Sequence, residues 1–288
     1  MKADQQNRIV LDPFDHKKSV RQFFKLHNIK QQKPGLTFLG EILAHFAQIP
    51  YENISKIVKL HKNYEAADRI RLPDEVLHDH EAYHLGGTCF SLTFTLQSLL
   101  SESGFLCYPF IAHMNNRPNA HCALLVLLEG KKYLADPGYL LNQPMELHKD
   151  RRRIYRTEHT GIELVYKGDE DMFHLFTFNH NNIKWRYRFQ DKALSMEKFL
   201  GHWWASFYWP GMRGICLTQV KQDGMIYVHN DFVQVQNLQG MQKGHVQDIH
   251  RLVNESFRIS PEWVERALAA IPDIISRGQE KGYYRNRE

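Results

Sequence analysis

Between Phe105 and Phe189 apolar residues recur at every second position or in short unbroken runs, separated by turn residues. The runs are FLCYPFIAH, HCALLVLLE, KKYLAD, IELVYK, MFHLFTF and NIKWRYRF, with Glu129-Gly130 joining the second to the third. In the last, Ile183, Trp185, Tyr187 and Phe189 alternate with Lys184, Arg186 and Arg188. Only an extended chain turns that period into one apolar and one polar face. Serial strands with tight turns predict an antiparallel sheet or barrel.

The chain before this segment has the helical period. Val20, Phe23, Phe24 and His27 fall on one stripe, and Leu36, Leu39, Leu43 and Phe46 on another, with the loop QQKPG between them. Leu92, Leu96, Leu99 and Leu100 continue the period after Cys89 with few polar positions, which predicts a central, buried helix stopped at Ser103-Gly104. From Ser195 the pattern is mixed. SMEKFLGHWWASFYW reads as a helix ending at Pro210-Gly211, GICLTQV and GMIYVHNDFVQVQ read as strands, and VQDIHRLVNESF reads as a helix. In SPEWVERALAAI, Ser260 is a natural N-cap and Pro261 a first helical residue, with Val264, Leu268 and Ile271 inward. The expectation is an α+β protein: a helical bundle over 1–104, an antiparallel β-barrel over 105–194 and an α/β lid over 195–288.

Composition narrows the function. No apolar run is long enough to span a membrane, and the first twenty residues lack the apolar core of a secretory signal, so a cytoplasmic location without membrane attachment is expected. The four cysteines form no CxxC pair and no close Cys/His ligand spacing despite the 17 histidines, so no metal site is expected and the thiols read as reduced. The net charge of +5 is spread along the chain apart from clusters such as KDRRR at 149–153, which argues against nucleic acid.

Cys89 follows Gly86-Gly87-Thr88 and opens the buried helix, where the helix dipole and free amides favour a thiolate. By itself the stretch reads two ways, as a buried structural thiol or as a nucleophile. A nucleophile needs a base, and His121 heads one strand while Asp136 closes the next. A hairpin around Glu129-Gly130 sets position 121 opposite a residue near 136 or 137, which brings imidazole and carboxylate to one end of the sheet. Trp209 belongs to the aromatic cluster of GHWWASFYWPG, Phe90 follows the cysteine and Tyr51 precedes Glu52; these three are candidate acceptor-site residues or simple packing.

The chain resembles the arylamine N-acetyltransferases. The resemblance is carried by IPYENIS at 49–55, by GGTC at 86–89 and by HCALLVLLEGKKYLADPG at 121–138, with weaker echoes over most of the length. It implies Cys89 as nucleophile, His121 as base and Asp136 as orienter, in a papain/transglutaminase-like core. It also implies an acyl-CoA co-substrate such as acetyl-CoA, with no tightly bound cofactor, and an amine, hydrazine or hydroxylamine acceptor. Three departures stand out. Leu85 occupies the place of the family's arginine, which leaves Glu52 without an evident partner. Thr93 stands where an asparagine is usual, and ASFYWPGMRG replaces a stretch that contributes to the coenzyme A site, so the coenzyme A contacts are unassigned. A thiol hydrolase or transglutaminase-like amide-forming enzyme using the same three residues is the alternative, and a non-catalytic binder a third.

Overall fold

The computed structural model describes residues 9–280 apart from 64, 66, 116, 158, 159, 222 and 223. The outer ends of the expected first and third segments, 1–8 and 281–288, lie outside the described residues.

The first segment carries α1 (Lys17–Leu26), α2 (Leu36–Phe46), a two-residue strand β1 (Tyr51–Glu52), α3 (Ile54–Lys62), α4 (Pro73–Tyr83) and α5 (Cys89–Glu102). Every residue of α5 from Cys89 to Leu100 is buried. Its hydroxyls survive burial by bonding the preceding turn: Thr95 donates to the Ser91 carbonyl at 2.8 Å and Ser98 to that of Phe94 at 3.2 Å.

Eight strands follow: β2 (Leu106–Met114), β3 (Arg117–Leu128), β4 (Lys131–Ala135), β5 (Met145–Glu146), β6 (Arg153–Arg156), β7 (Gly161–Lys167), β8 (Met172–Phe178) and β9 (Ile183–Phe189). They form an antiparallel sheet in the order β5-β4-β3-β2-β9-β8-β7-β6, curled nearly into a barrel. β3 explains its unbroken apolar run by being covered on both faces. Leu124, Val126 and Leu128 pack with the helices, whereas Ala123 and Leu125 pack inside the barrel with Phe110, Tyr187 and Phe189. It begins at Arg117, four residues before the apolar run that starts at His121.

The alternation expected over 183–189 does not hold throughout. Leu175 pairs with Tyr187 but Phe176 pairs with Trp185, so Arg186 is an extra residue in the ladder. The bulge turns Trp185 to the face opposite Tyr187, leaves Ile183 61% exposed and keeps Tyr187 and Phe189 in the core.

The last segment contains α6 (Met196–Ala205), short 3-10 turns at Ser206–Tyr208 and Pro210–Arg213, strands β10 (Cys216–Lys221), β11 (Gly224–His229), β12 (Phe232–Gln236) and β13 (Met241–His245), then α7 (Ile249–Phe257) and α8 (Pro261–Glu280). α8 runs through Pro272, beyond the expected stretch, and buries Val264, Ala267, Ala270 and Ile274, with Leu268 and Ile271 at the margin of that stripe. β1 pairs with β10, Tyr51 opposite Thr218 and Glu52 opposite Leu217, so one five-stranded sheet is built from both ends of the chain. β1 and β13 were not legible as strands, because one is two residues long and the other, MQKGH, has no apolar face. Among the described residues no helix is long and apolar enough to cross a membrane.

Candidate active site

Cys89 opens α5 behind Gly86 and Gly87, and the glycines are there for space. A Cβ at Gly86 would lie 1.8 Å from the Pro50 carbonyl oxygen, so only a bare α-carbon lets the turn lie against the 49–52 segment. Backbone bonds lock the approach: the Glu52 amide donates to the Gly87 carbonyl at 3.0 Å and the Gly86 amide to the Glu52 carboxylate at 3.2 Å.

Leu85 does not leave Glu52 alone. Arg71, from the segment before α4, brings its Nη1 to 3.8 Å from the Glu52 carboxylate and donates to the Gly86 carbonyl and the Ser55 hydroxyl, each at 2.6 Å. Its Nη2 donates to Asp79 at 2.7 Å. Arg71 is 3% exposed and Glu52 0%, so the pair itself is buried, while Asp79 and Glu75, the latter 3.4 Å from the Arg71 Nε, lie toward solvent. The expectation that Glu52 lacks a partner is therefore corrected: the guanidinium arrives from fifteen residues before the turn rather than from the residue adjacent to it. Asn53 ties the same motif to the last segment, donating to the Gly211 and Gly214 carbonyls at 2.9 and 2.8 Å and accepting from the Cys216 amide at 2.7 Å.

The β3–β4 hairpin turns at Glu129 and Gly130, both at positive φ, as a two-residue loop requires. Its register pairs Leu124 with Ala135 and Leu128 with Lys131, which extends to 121 opposite 138, one residue past the expected alignment. Asp136 thereby becomes the diagonal neighbour of His121, on the same face. The Nε2 of His121 lies 2.8 Å from an Asp136 oxygen. Asp136 is fully buried and also accepts from the Tyr187 hydroxyl at 2.5 Å and the Tyr139 amide at 3.1 Å. Gly138, opposite the imidazole, leaves room for it: a Cβ there would stand 2.7 Å from His121 Cε1 and 3.2 Å from Cys89 Cβ.

Asp136 occupies Nε2, so Nδ1 is the ring nitrogen left for Cys89, whose side chain borders the space above Gly138 together with the imidazole. The Cys89 thiol is held well below its ordinary range: the neighbouring Cys122 side chain contributes most, burial opposes it, and His121 and Lys56 add to the lowering. Burial alone would lower His121, but Asp136 and the cysteine overcome it and raise the imidazole to about 10. Thiolate and imidazolium are thus mutually supporting. Thr93, in the asparagine's place, donates to the Cys122 carbonyl at 3.2 Å and accepts from its thiol at 3.6 Å, pinning β3 to α5.

The remaining candidates surround this centre. Phe90 is fully buried and packs on Phe199 at 5.3 Å and on Trp209 at 5.9 Å. Tyr51 and Trp209 are half-buried. Three residues of the site had not been singled out from sequence: Arg71, Lys56 and Tyr187. The inward face assigned to Tyr187 by alternation was the one available signal, whereas two buried cations carry no periodic signature.

With this geometry in view, the class of fold is plain. The chain superimposes with a TM-score of 0.77 on the arylamine N-acetyltransferase of Mycobacterium abscessus, at 15% identity, covering 90% of this chain and 97% of that one. For the Mycobacterium tuberculosis arylamine N-acetyltransferase the values are 0.72, 18%, 88% and 99%. In sequence, an arylamine N-acetyltransferase of Escherichia coli (strain K12) is 27% identical over 187 residues, 58% of this chain and 59% of that relative, so the match spans less than two thirds of the relative's length. The family model described as N-acetyltransferase matches residues 36–265, and the chain belongs to that family.

Proposed function

We propose that the protein is an acyl-CoA-dependent N-acyltransferase of the arylamine N-acetyltransferase type, working in two half-reactions. The observation that carries this reading is the buried line Cys89–His121–Asp136 at the head of α5, in a chain of the N-acetyltransferase family. The Cys89 thiolate attacks the thioester carbonyl, amides of the first turn of α5 receive the oxyanion, and coenzyme A leaves with the proton from His121. An amine, hydrazine or hydroxylamine then attacks the acyl-cysteine and passes its proton to the neutral His121 imidazole, and the C–S bond breaks to release the acylated product and the Cys89 thiolate. Asp136, held by Tyr187 and Tyr139, orients the ring through both steps.

In this reading residues 1–104 supply the nucleophile, 105–194 the base and acid, and 195–288 a lid that keeps water from the thioester. The solved Bacillus cereus relative is described as having a Cys-His-Glu catalytic triad; here the acid position is Asp136. Tyr51, Phe90 and Trp209 are the proposed acceptor-side residues. The four free cysteines support a reducing, cytoplasmic setting.

Incubation with acetyl-CoA and no acceptor, followed by intact mass, tests the reading. The expected result is a gain of one acetyl group that is absent from Cys89→Ala and is lost on adding an arylamine or hydrazine. An unmodified Cys89 across a range of short acyl-CoAs overturns the coenzyme A donor. The hydrolase or transglutaminase-like alternative rests on Leu85 and on the altered stretch at 205–214; Arg71 answers the first of these, and release of amine or carboxylate from peptide substrates without coenzyme A would favour it.

A further inference from the structure

Lys56 is a buried cation beside the candidate active site with no carboxylate of its own. It lies on α3, is 6% exposed, and its Nζ donates to the Ser206 carbonyl at 3.0 Å and to the Ser206 hydroxyl at 2.6 Å. The ammonium stands 4.6 Å from the centre of the Phe207 ring and 6.0 Å from that of Trp209. Trp209 in turn packs on Phe90, the residue after Cys89, at 5.9 Å. Among the described residues no carboxylate lies within ion-pair distance of Lys56. Neutral partners alone do not repay the burial of an ammonium, so a nearby anion is required if the charge is to be kept. Of the two sulfurs whose field reaches it, Cys89 is held toward its anion and Cys122 toward its neutral thiol. Burial draws Lys56 down to about 8, and the two sulfurs act against that.

We propose that Lys56 is a positioning residue that balances the charge of the Cys89 thiolate. Thiolate, imidazolium and the Asp136 carboxylate leave one uncompensated negative charge in a water-poor site, and the ammonium cancels it. This rests on the reading of Cys89 as the nucleophile.

The other titratable groups facing Cys89 do not supply that charge. Burial pushes the Cys122 thiol on β3, the Tyr51 phenol on β1 and the Tyr139 phenol after Asp136 upward, so each stays neutral near pH 7. Positive charge reaches the sulfur from His121 and Lys56.

The test is the pH dependence of Cys89 alkylation by iodoacetamide, followed by peptide mass, in the wild type, Lys56→Met, Lys56→Gln and Lys56→Arg, with folding checked by circular dichroism. The expected result is a low inflection in the wild type, moved up by roughly half a unit or more in the Met and Gln variants, about a threefold loss in the thiolate-to-thiol ratio below it, and restored in the Arg variant. Gln retains a donor toward Ser206 and carries the comparison if Met does not fold. Unchanged inflections in both neutral variants overturn the role of Lys56 and leave the low wild-type inflection, and with it Cys89 as nucleophile, standing. A folded Arg variant that behaves like Met overturns the charge argument in favour of packing. A wild-type inflection in the ordinary thiol range overturns the thiolate reading of Cys89 itself.

Discussion

The Arg71 guanidinium donates to the Gly86 carbonyl at 2.6 Å and stands 3.8 Å from the Glu52 carboxylate, so the turn that presents Cys89 is held from the segment preceding α4. The family pattern puts an arginine beside the glycines; here a leucine, itself fully buried, takes that place, and the charge reaches the same carboxylate by another route.

Removing that charge leaves Glu52 buried and uncompensated. Arg71→Met is expected to lower stability by about 3–5 kcal/mol, the usual consequence of breaking a buried pair from one side. Urea unfolding measures it. A loss below about 1 kcal/mol, the value of an exposed ion pair, would show that water screens the Arg71–Glu52 pair.

Gly138→Ala tests the spacing between β3 and α5. The backbone at 138 is not in the left-handed region, so alanine is tolerated by the chain, but its methyl would sit 2.7 Å from His121 Cε1. The imidazole must move off the line to Cys89, and the rate of acetyl-cysteine formation should fall by about a hundredfold with little change in the unfolding midpoint. Rates within twofold of wild type would mean the ring has slack that the packing does not suggest.

The Tyr187 hydroxyl is one of three donors to Asp136. A hydrogen bond to a charged group contributes roughly 1.5–3 kcal/mol, so Tyr187→Phe should slow acylation about tenfold or somewhat more while leaving the barrel folded. Stopped-flow acylation with acetyl-CoA reads this directly. Wild-type kinetics in the folded variant would assign the tyrosine to packing alone.

Stability should depend on pH through the cysteine–histidine pair in opposite directions. His121 is raised from 6.5 to about 10 on folding, so its contribution is complete below 6.5 and declines as pH rises through about 10. Cys89 is lowered from 9.0, so its contribution is complete above 9.0 and declines as pH falls toward the folded value. Between 6.5 and 9.0 the two slopes oppose, and the wild type should be nearly flat there. Cys89→Ala removes the rising limb, leaving a stability that falls with pH over that window because Asp136 still raises the imidazole. Urea midpoints at a series of pH values check it; parallel profiles for the two proteins would exclude the coupling.

Much of the fold was legible because periodicity reports burial. The buried helix after Cys89, the serial strands and the Glu129-Gly130 hairpin each follow from local residue order, and the hairpin alone brought His121 and Asp136 within reach of each other. The bulge at Arg186 was not legible, since one extra residue in a ladder is set by the partner strand β8 and not by β9 itself. Nor was the union of β1 with β10, because a pairing between Tyr51 and Thr218 has no local signature at either end.

By itself the amino-acid order determined the element types, the helix-start position of Cys89 and the pairing of histidine with aspartate, since these depend on side-chain period and on turns a few residues long. The tertiary structure decided which charges meet what: that Arg71 answers Glu52, that Tyr187 holds Asp136, and that Lys56 lies buried against Ser206 and Phe207. The reason is physical. A buried charge is set by whatever the whole chain packs around it, and an arginine or lysine whose partners are distant in sequence looks, along the chain, like any solvated cation.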